Sequence, residues 1–216
     1  MVIAVESHKI AYMALPKAGC SSVKAALARV DPDVTLPPED KIDVHTWHAI
    51  YPTRRFRPHR WQAYADYWRF AVVRDPVKRL MSVYTNRVVE FRDLHNCRSI
   101  LRGRVDLPKD PDPDFFFSNL QAYCEASSII KHHCLGAKLF LGPKPLRYDR
   151  IYRTEDLGQL PADLERITGQ AVTLPRENKS GERLQIDDLK YGTVRKLRAF
   201  LDDEYSYLSG YYDNPL

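Results

Sequence analysis

Lys17, Gly19, Ser21 and Ser22 lie close together in the stretch Leu15-Pro16-Lys17-Ala18-Gly19-Cys20-Ser21-Ser22-Val23-Lys24. A cation, a residue that lets the backbone approach closely and two hydroxyl donors are the parts of an anion grip. The order of residues excludes two familiar phosphate loops. A nucleotide-triphosphate loop needs Gly, four residues and then Gly-Lys-Ser/Thr, whereas here the Lys precedes the only Gly. A dinucleotide turn needs three spaced glycines. A second set of candidates is Arg74 and Ser82, in Phe70-Ala71-Val72-Val73-Arg74-Asp75-Pro76-Val77-Lys78-Arg79-Leu80-Met81-Ser82-Val83-Tyr84. Arginine suits a phosphate because it can give two parallel hydrogen bonds. Plainer readings exist for each: a solvated loop charge for Lys17, an ion pair with Asp75 or a helix end for Arg74, and a bond to the carbonyl one turn earlier for Ser82. Among the seven histidines, His45 and His48 stand between the two sets in Val44-His45-Thr46-Trp47-His48, and His132 and His133 stand later. A histidine titrates near neutral pH and is the natural proton acceptor.

These residues need elements to position them. Ile10 to Leu15 is an apolar run that reads as a buried strand, and Ser22 to Val30 reads as a helix. The loop between them therefore sits at a helix N-terminus, where backbone N–H groups lack intrahelical partners. Phe70 to Val73 reads as a second strand. Asp75 can cap the helix that follows, and Pro76 suits its first position. Val77, Leu80, Met81, Tyr84 and Val88 recur at helical spacing, which extends that helix to about Phe91. Arg74 thus falls at the carboxyl end of a strand, where ligands bind in open α/β sheets. Asp43 to Thr46 reads as a short strand, Trp61 to Trp68 and Asp114 to Ala126 as helices, Tyr148 to Arg153 as a strand, and Leu160 to Thr168 as a helix stopped by Gly169. Final helices start near Asp187. The Pro-rich, charged segment 98–114 reads as a loop that could serve as a lid or acceptor-binding segment. Alternating strands and helices predict an α/β fold with a parallel sheet and helices on both faces.

Together the two motifs resemble sulfotransferases that use 3′-phosphoadenosine 5′-phosphosulfate (PAPS), most closely the carbohydrate-type branch with bacterial members. Pro16 to Ser22 is similar to that family's 5′-phosphosulfate loop. Val73-Arg74-Asp75-Pro76, with Arg79-Leu80 and Ser82-Val83-Tyr84, is similar to its 3′-phosphate motif. Tyr152 to Leu157, Asn178-Lys179-Ser180 and Asp202 to Tyr205 match more weakly. The His-then-Pro-Gln pattern frequent in the family is missing around Lys131 to Cys134. The resemblance implies a three-layer sandwich, P-loop nucleotide-hydrolase-like, with a central, mostly parallel sheet. It implies that Lys17, Ala18, Gly19, Cys20, Ser21 and Ser22 hold the phosphosulfate, that Arg74 and Ser82 grip the 3′-phosphate, and that Lys179 and Arg183 cover the nucleotide. The product would be 3′-phosphoadenosine 5′-phosphate (PAP), and no metal is expected. In-line sulfuryl transfer to a hydroxyl or amine needs an aligned donor, charge neutralisation and a base. Lys17 fits the second need. His45 is the favoured base, with His48 next and then His132 and His133; the resemblance puts a base at the end of a strand between the two motifs.

A chain of 216 residues fits one domain over 1–216. Its net charge of +5 comes without the aromatic interleaving of RNA-binding segments, so no nucleic-acid partner is expected and a polyanionic donor explains part of the excess. No basic leader precedes an apolar stretch, and no run approaches the ~18 apolar residues of a membrane helix. A cytoplasmic, bacterial enzyme without an integral membrane segment is expected. Cys20, Cys97, Cys124 and Cys134 show no paired spacing, which predicts reduced thiols. Cys20, beside Lys17 at a helix start, is expected to be the most alkylation-prone. The rival readings are a nucleotide-dependent phosphotransferase on the same architecture and a non-catalytic PAPS- or nucleotide-binding module. The acceptor, a carbohydrate or small metabolite, and the oligomeric state are left open by the sequence.

Overall fold

The chain opens with a short strand, β1 (Ile3–Val5), which turns back through a 3-10 turn and a left-handed Lys9 (φ 48) into β2 (Ile10–Met13). All four residues of β2 are buried, as its unbroken apolar character predicts. The structure is a computed structural model that describes residues 2–175 and 184–216. β3 (Trp68–Val73) and β4 (Arg150–Arg153) complete a sheet of order β1-β2-β3-β4. β2 runs parallel to β3, with Tyr12 opposite Phe70, and β3 runs parallel to β4, with Val73 opposite Arg153. β1 pairs antiparallel with β2. The sheet is therefore mixed: three parallel strands and an antiparallel edge strand that the three-residue apolar run did not announce. Tyr12, Trp68 and Tyr152 pack around the buried Phe70, Tyr12 stacking at 4.8 Å between ring centroids.

In chain order the helices begin with α1 (Cys20–Val30), α2 (Val44–Ile50) and α3 (Pro58–Gln62). Next come α4 (Pro76–Val83), α5 (Arg98–Leu101), α6 (Pro113–Ser118), α7 (Leu120–Ala126) and α8 (Ser128–Cys134). α9 (Lys138–Leu141), α10 (Leu160–Thr168) and α11 (Tyr191–Tyr207) follow. The chain packs into two units, Met1–Arg74 with Ala137–Lys179, and Asp75–Gly136 with Ser180–Leu216. The sheet, α1, α2, α3, α9 and α10 belong to the first unit; α4 to α8 and α11 belong to the second.

Five local readings need correction. The helix read over Trp61 to Trp68 is instead α3, which starts earlier at Pro58 and ends at Gln62, with turns leading into β3. The segment 98–114 read as a loop carries α5 and, capped by Asp112 accepting from Phe115 N, the start of α6. Asp43 to Thr46 is not a strand. Asp43 caps α2, its carboxylate accepting from Thr46 N at 2.9 Å while Thr46 Oγ1 accepts from Asp43 N at 3.1 Å; two orphan donors are satisfied reciprocally and the helix starts there. The helix expected over Asp114 to Ala126 is two, because the Asn119 side chain donates to Phe115 O at 2.9 Å and competes with the backbone ladder. The helix from Pro76 widens after Val83 into a π-helical stretch over Tyr84–Glu90, closed by Phe91 N donating to Asn86 O at 2.9 Å. In the second unit Leu80, Met81, Phe116, Phe117, Tyr123 and Leu201 form the core. Segment 98–114 is tied to it by Tyr84 Oη on Pro111 O and Tyr123 Oη on Pro108 O.

Candidate functional site

Lys17 adopts φ 66 and Gly19 φ 72, so the chain between β2 and α1 turns through the left-handed region twice. For a lysine this region is uncommon and costs roughly 1–3 kcal/mol; such strain collects at ligand clamps. At Gly19 two features disfavour a larger residue: the left-handed backbone, and Leu157 Cδ2, which would lie 3.1 Å from an added Cβ and would have to shift. Ala18 N donates to Leu15 O, closing the turn. Gly19 is the N-cap of α1 and brings no capping side chain to the first-turn N–H groups of Cys20, Ser21 and Ser22. Lys17 and Gly19 are partly exposed, while Ala18, Cys20 and Ser21 are buried.

Arg74, at the carboxyl end of β3, donates from Nη1 to Lys17 O at 3.0 Å across 57 positions of sequence. Arg74, the last residue of its motif within the first unit, therefore meets the loop there; the motif from Asp75 on belongs to the second unit. The strained lysine carbonyl is held by the arginine predicted to read a phosphate.

α2 approaches the loop from another direction. Trp47 is fully buried, with the Arg29 guanidinium of α1 4.8 Å from its ring centroid, and Tyr51 Oη donates to the Asp31 carboxylate just past α1. These anchors bring His48 to the loop: its Nε2 lies 3.1 Å from Ser21 Oγ. Its Nδ1 lies 2.9 Å from Nζ of Lys24, which also donates to Thr53 Oγ1 at 2.7 Å. Lys24 is 0% exposed. Burial lowers its pKa from the ordinary 10.5, with the nearby Cys20 opposing. Lys24 and Thr53 were missed in the sequence. The available signal was a lysine three residues after Ser21 on a helix apolar on nearly every side.

The remaining candidates are divided between the two units. His45 occupies the first turn of α2, exposed, on a helix rather than at a strand end. Three residues before His48, it shares that side of α2. Ser82 is in the second unit, buried, and its Oγ donates to Arg79 O at 2.7 Å, the plainer reading considered for it. His133 Nδ1 donates to Ile129 O on α8, beside His132. Lys179 and Arg183 lie outside the described residues. Cys20 is buried, and of the four thiols only Cys124 is partly exposed, so the alkylation expectation shifts to Cys124. Among the described residues no cluster of three His, Cys, Asp or Glu side chains could hold a metal ion, and no helix is long and apolar enough to cross a membrane.

No curated protein and no solved structure matches the chain. A family model described as the sulfotransferase family matches residues 1–203. With the β2 loop, the Arg74 contact and a match over most of the length together, the chain belongs to the sulfotransferase family, enzymes that transfer a sulfuryl group.

Proposed function

We propose that the protein transfers a sulfuryl group from PAPS to a hydroxyl or amine acceptor, a carbohydrate or small metabolite. The observation that carries this reading is the hydrogen bond from Arg74 to the carbonyl of Lys17, which joins the arginine expected to read a phosphate to the loop expected to hold an anion. The donor set suits such a molecule: a cation, first-turn N–H groups without a capping side chain, hydroxyls and a guanidinium. PAPS, when bound, supplies a sulfuryl group on a phosphate that leaves as PAP. Lys17 would place its ammonium where negative charge builds on the leaving oxygen. Ala18, Gly19, Cys20, Ser21 and Ser22 would orient the phosphosulfate. Arg74, whose guanidinium carries five N–H groups, would hold the 3′-phosphate while keeping the Lys17 carbonyl in place. His45 would take the acceptor proton from its exposed place on α2. The family match runs through both units, which supports reading the whole as one sulfotransferase domain, and we read its sheet as the core of a three-layer, P-loop-hydrolase-like fold.

The test incubates the full chain with PAPS and a panel of sugars, amines and phenols in the presence of a chelator, and mass spectrometry follows gain of SO₃. Arg74→Ala should weaken PAP binding by roughly tenfold to a hundredfold, the worth of charge-assisted bonds of ~1.5–3 kcal/mol, and barely change binding of adenosine 5′-phosphosulfate. Equal losses for both ligands would remove Arg74 from the 3′-phosphate. Transfer from ATP that stops with the chelator would point to a phosphotransferase instead.

A further inference from the structure

Lys24 is enclosed completely, yet no carboxylate among the described residues pairs with it; its bonds go to His48 Nδ1 and Thr53 Oγ1. An ammonium buried without a counter-ion is costly, and an apolar side chain of similar length would fit the surrounding apolar face of α1 better. What it does there follows from hydrogen-bond valence. An ammonium has protons and no lone pair, so His48 Nδ1 must accept. A neutral imidazole that accepts at Nδ1 carries its proton on Nε2. That Nε2–H is 3.1 Å from Ser21 Oγ, which then acts as acceptor toward the ring, so its own proton is not used in that bond.

We propose that Lys24 and His48 form a hydrogen-bonded wire that commits the Ser21 hydroxyl to donate to an anion in the loop, which makes Lys24 a positioning residue and removes His48 from the candidates for the base. The identity of that anion, the phosphosulfate of the donor, rests on the function proposed above. The sequence Nζ–H to Nδ1, Nε2–H to Oγ and O–H to anion points every donor the same way, so each bond polarises the next. The bound anion would also provide the negative charge that buried Lys24 lacks. The lowered pKa of Lys24 agrees, since it reports an ammonium short of compensation before an anion arrives.

The first test reads the His48 tautomer by ¹⁵N NMR of the ligand-free parent protein near neutral pH, with His48→Gln identifying the signals. The expected result is a protonated Nε2 and an unprotonated Nδ1. The opposite tautomer, or a charged ring, overturns the wire. The second test is a double-mutant cycle on PAP binding by calorimetry. Lys24→Met and Ser21→Ala should each weaken PAP by about tenfold, and the double variant by little more than either alone, because both break one chain of bonds. Losses that multiply overturn the proposal. His48→Gln with Ser21→Ala gives the same cycle by a second route should Lys24→Met not fold. A parent that ignores PAP but shows the Nε2–H tautomer overturns the donor reading while supporting the wire.

Discussion

Lys24 in the first unit and Arg79 in the second are both enclosed cations, 0% and 1% exposed, and their surroundings differ in kind. Arg79 faces the Glu204 carboxylate of α11 at 2.8 Å and two backbone carbonyls, His133 O at 3.3 Å and Leu135 O at 3.1 Å. Gly136 leaves room for the carboxylate: a Cβ there would lie 2.8 Å from Glu204 Oε1. One residue on, Tyr205 Oη donates to Asp75 Oδ2 at 2.8 Å; burial and that bond push the Tyr205 phenol well above its usual pKa. Arg79 is thus charge-balanced within its own unit and fastens α11 to the start of α4. Lys24 has no carboxylate partner among the described residues; its bonds go to His48 Nδ1 and Thr53 Oγ1. A buried cation that has its counter-ion is finished as structure, and one that lacks it is arranged for something that arrives.

The comparison can be broken first at Arg79. Arg79→Met strands the Glu204 carboxylate and should cost about 3–5 kcal/mol, seen as a large loss in chemical denaturation. Arg79→Met with Glu204→Leu should recover most of it, since apolar replacements of a buried pair are often neutral. A single variant as stable as the parent would show the pair is not the fastening described. Next comes Lys17→Ala. With the ammonium gone, turnover should fall by about 10²–10³-fold, the usual loss when one donor to developing charge is removed, and more than PAP affinity falls. Unchanged kinetics would end the role given to Lys17.

Lys24→Met should behave in the opposite way to Arg79→Met: the fold should stay within about 1 kcal/mol of the parent, or gain, while donor handling suffers. The pH sign follows from its lowered pKa. The unfolded chain binds the proton more tightly than the folded one, so the parent gains stability as pH rises from the folded value toward 10.5. The variant lacks this rise, and any advantage it holds at neutral pH should shrink in alkaline denaturation curves. A gap that widens instead would mean Lys24 stabilises the fold as a cation. The smallest effect is chemical. Cys124 is the partly exposed thiol, and hydrogen bonding from Cys134 lowers its pKa while burial opposes. Peptide mapping after brief alkylation should find Cys124 modified ahead of the buried Cys20, Cys97 and Cys134; Cys20 labelled first would restore the expectation drawn from its place at the helix start.

What could be read from the sequence was local. The strand, loop and helix around Lys17, the Val73–Pro76 turn with its capping Asp75, and α10 with its left-handed Gly169 all announce themselves within a few residues. α2 had a local signal as well, Asp43 followed three residues later by Thr46, but so short a helix has little periodicity to support it. The π-helical stretch after Val83 keeps a helical spacing of apolar residues and looks like ordinary helix. The Arg79–Glu204 pair spans 125 positions, and Lys24 acquires its meaning only when α2 sets His48 beside it. Neither pairing is encoded in spacing.

The interleaving of the two units bears on how the chain is made. The sheet needs β4, which is synthesised only after the whole stretch Asp75–Gly136 has emerged. The second unit in turn needs α11, near the end of the chain, to provide Glu204 for Arg79. On the ribosome, therefore, neither unit is complete in the segments made first: β3 can pair with β2 but waits for β4 on its other edge, and α4 carries an uncompensated guanidinium until the last helix appears. Folding by such distant pairings is slow and leaves apolar strands exposed meanwhile, so the first unit can be completed only once the segment Ala137–Lys179 is made, and the second only with the last helix.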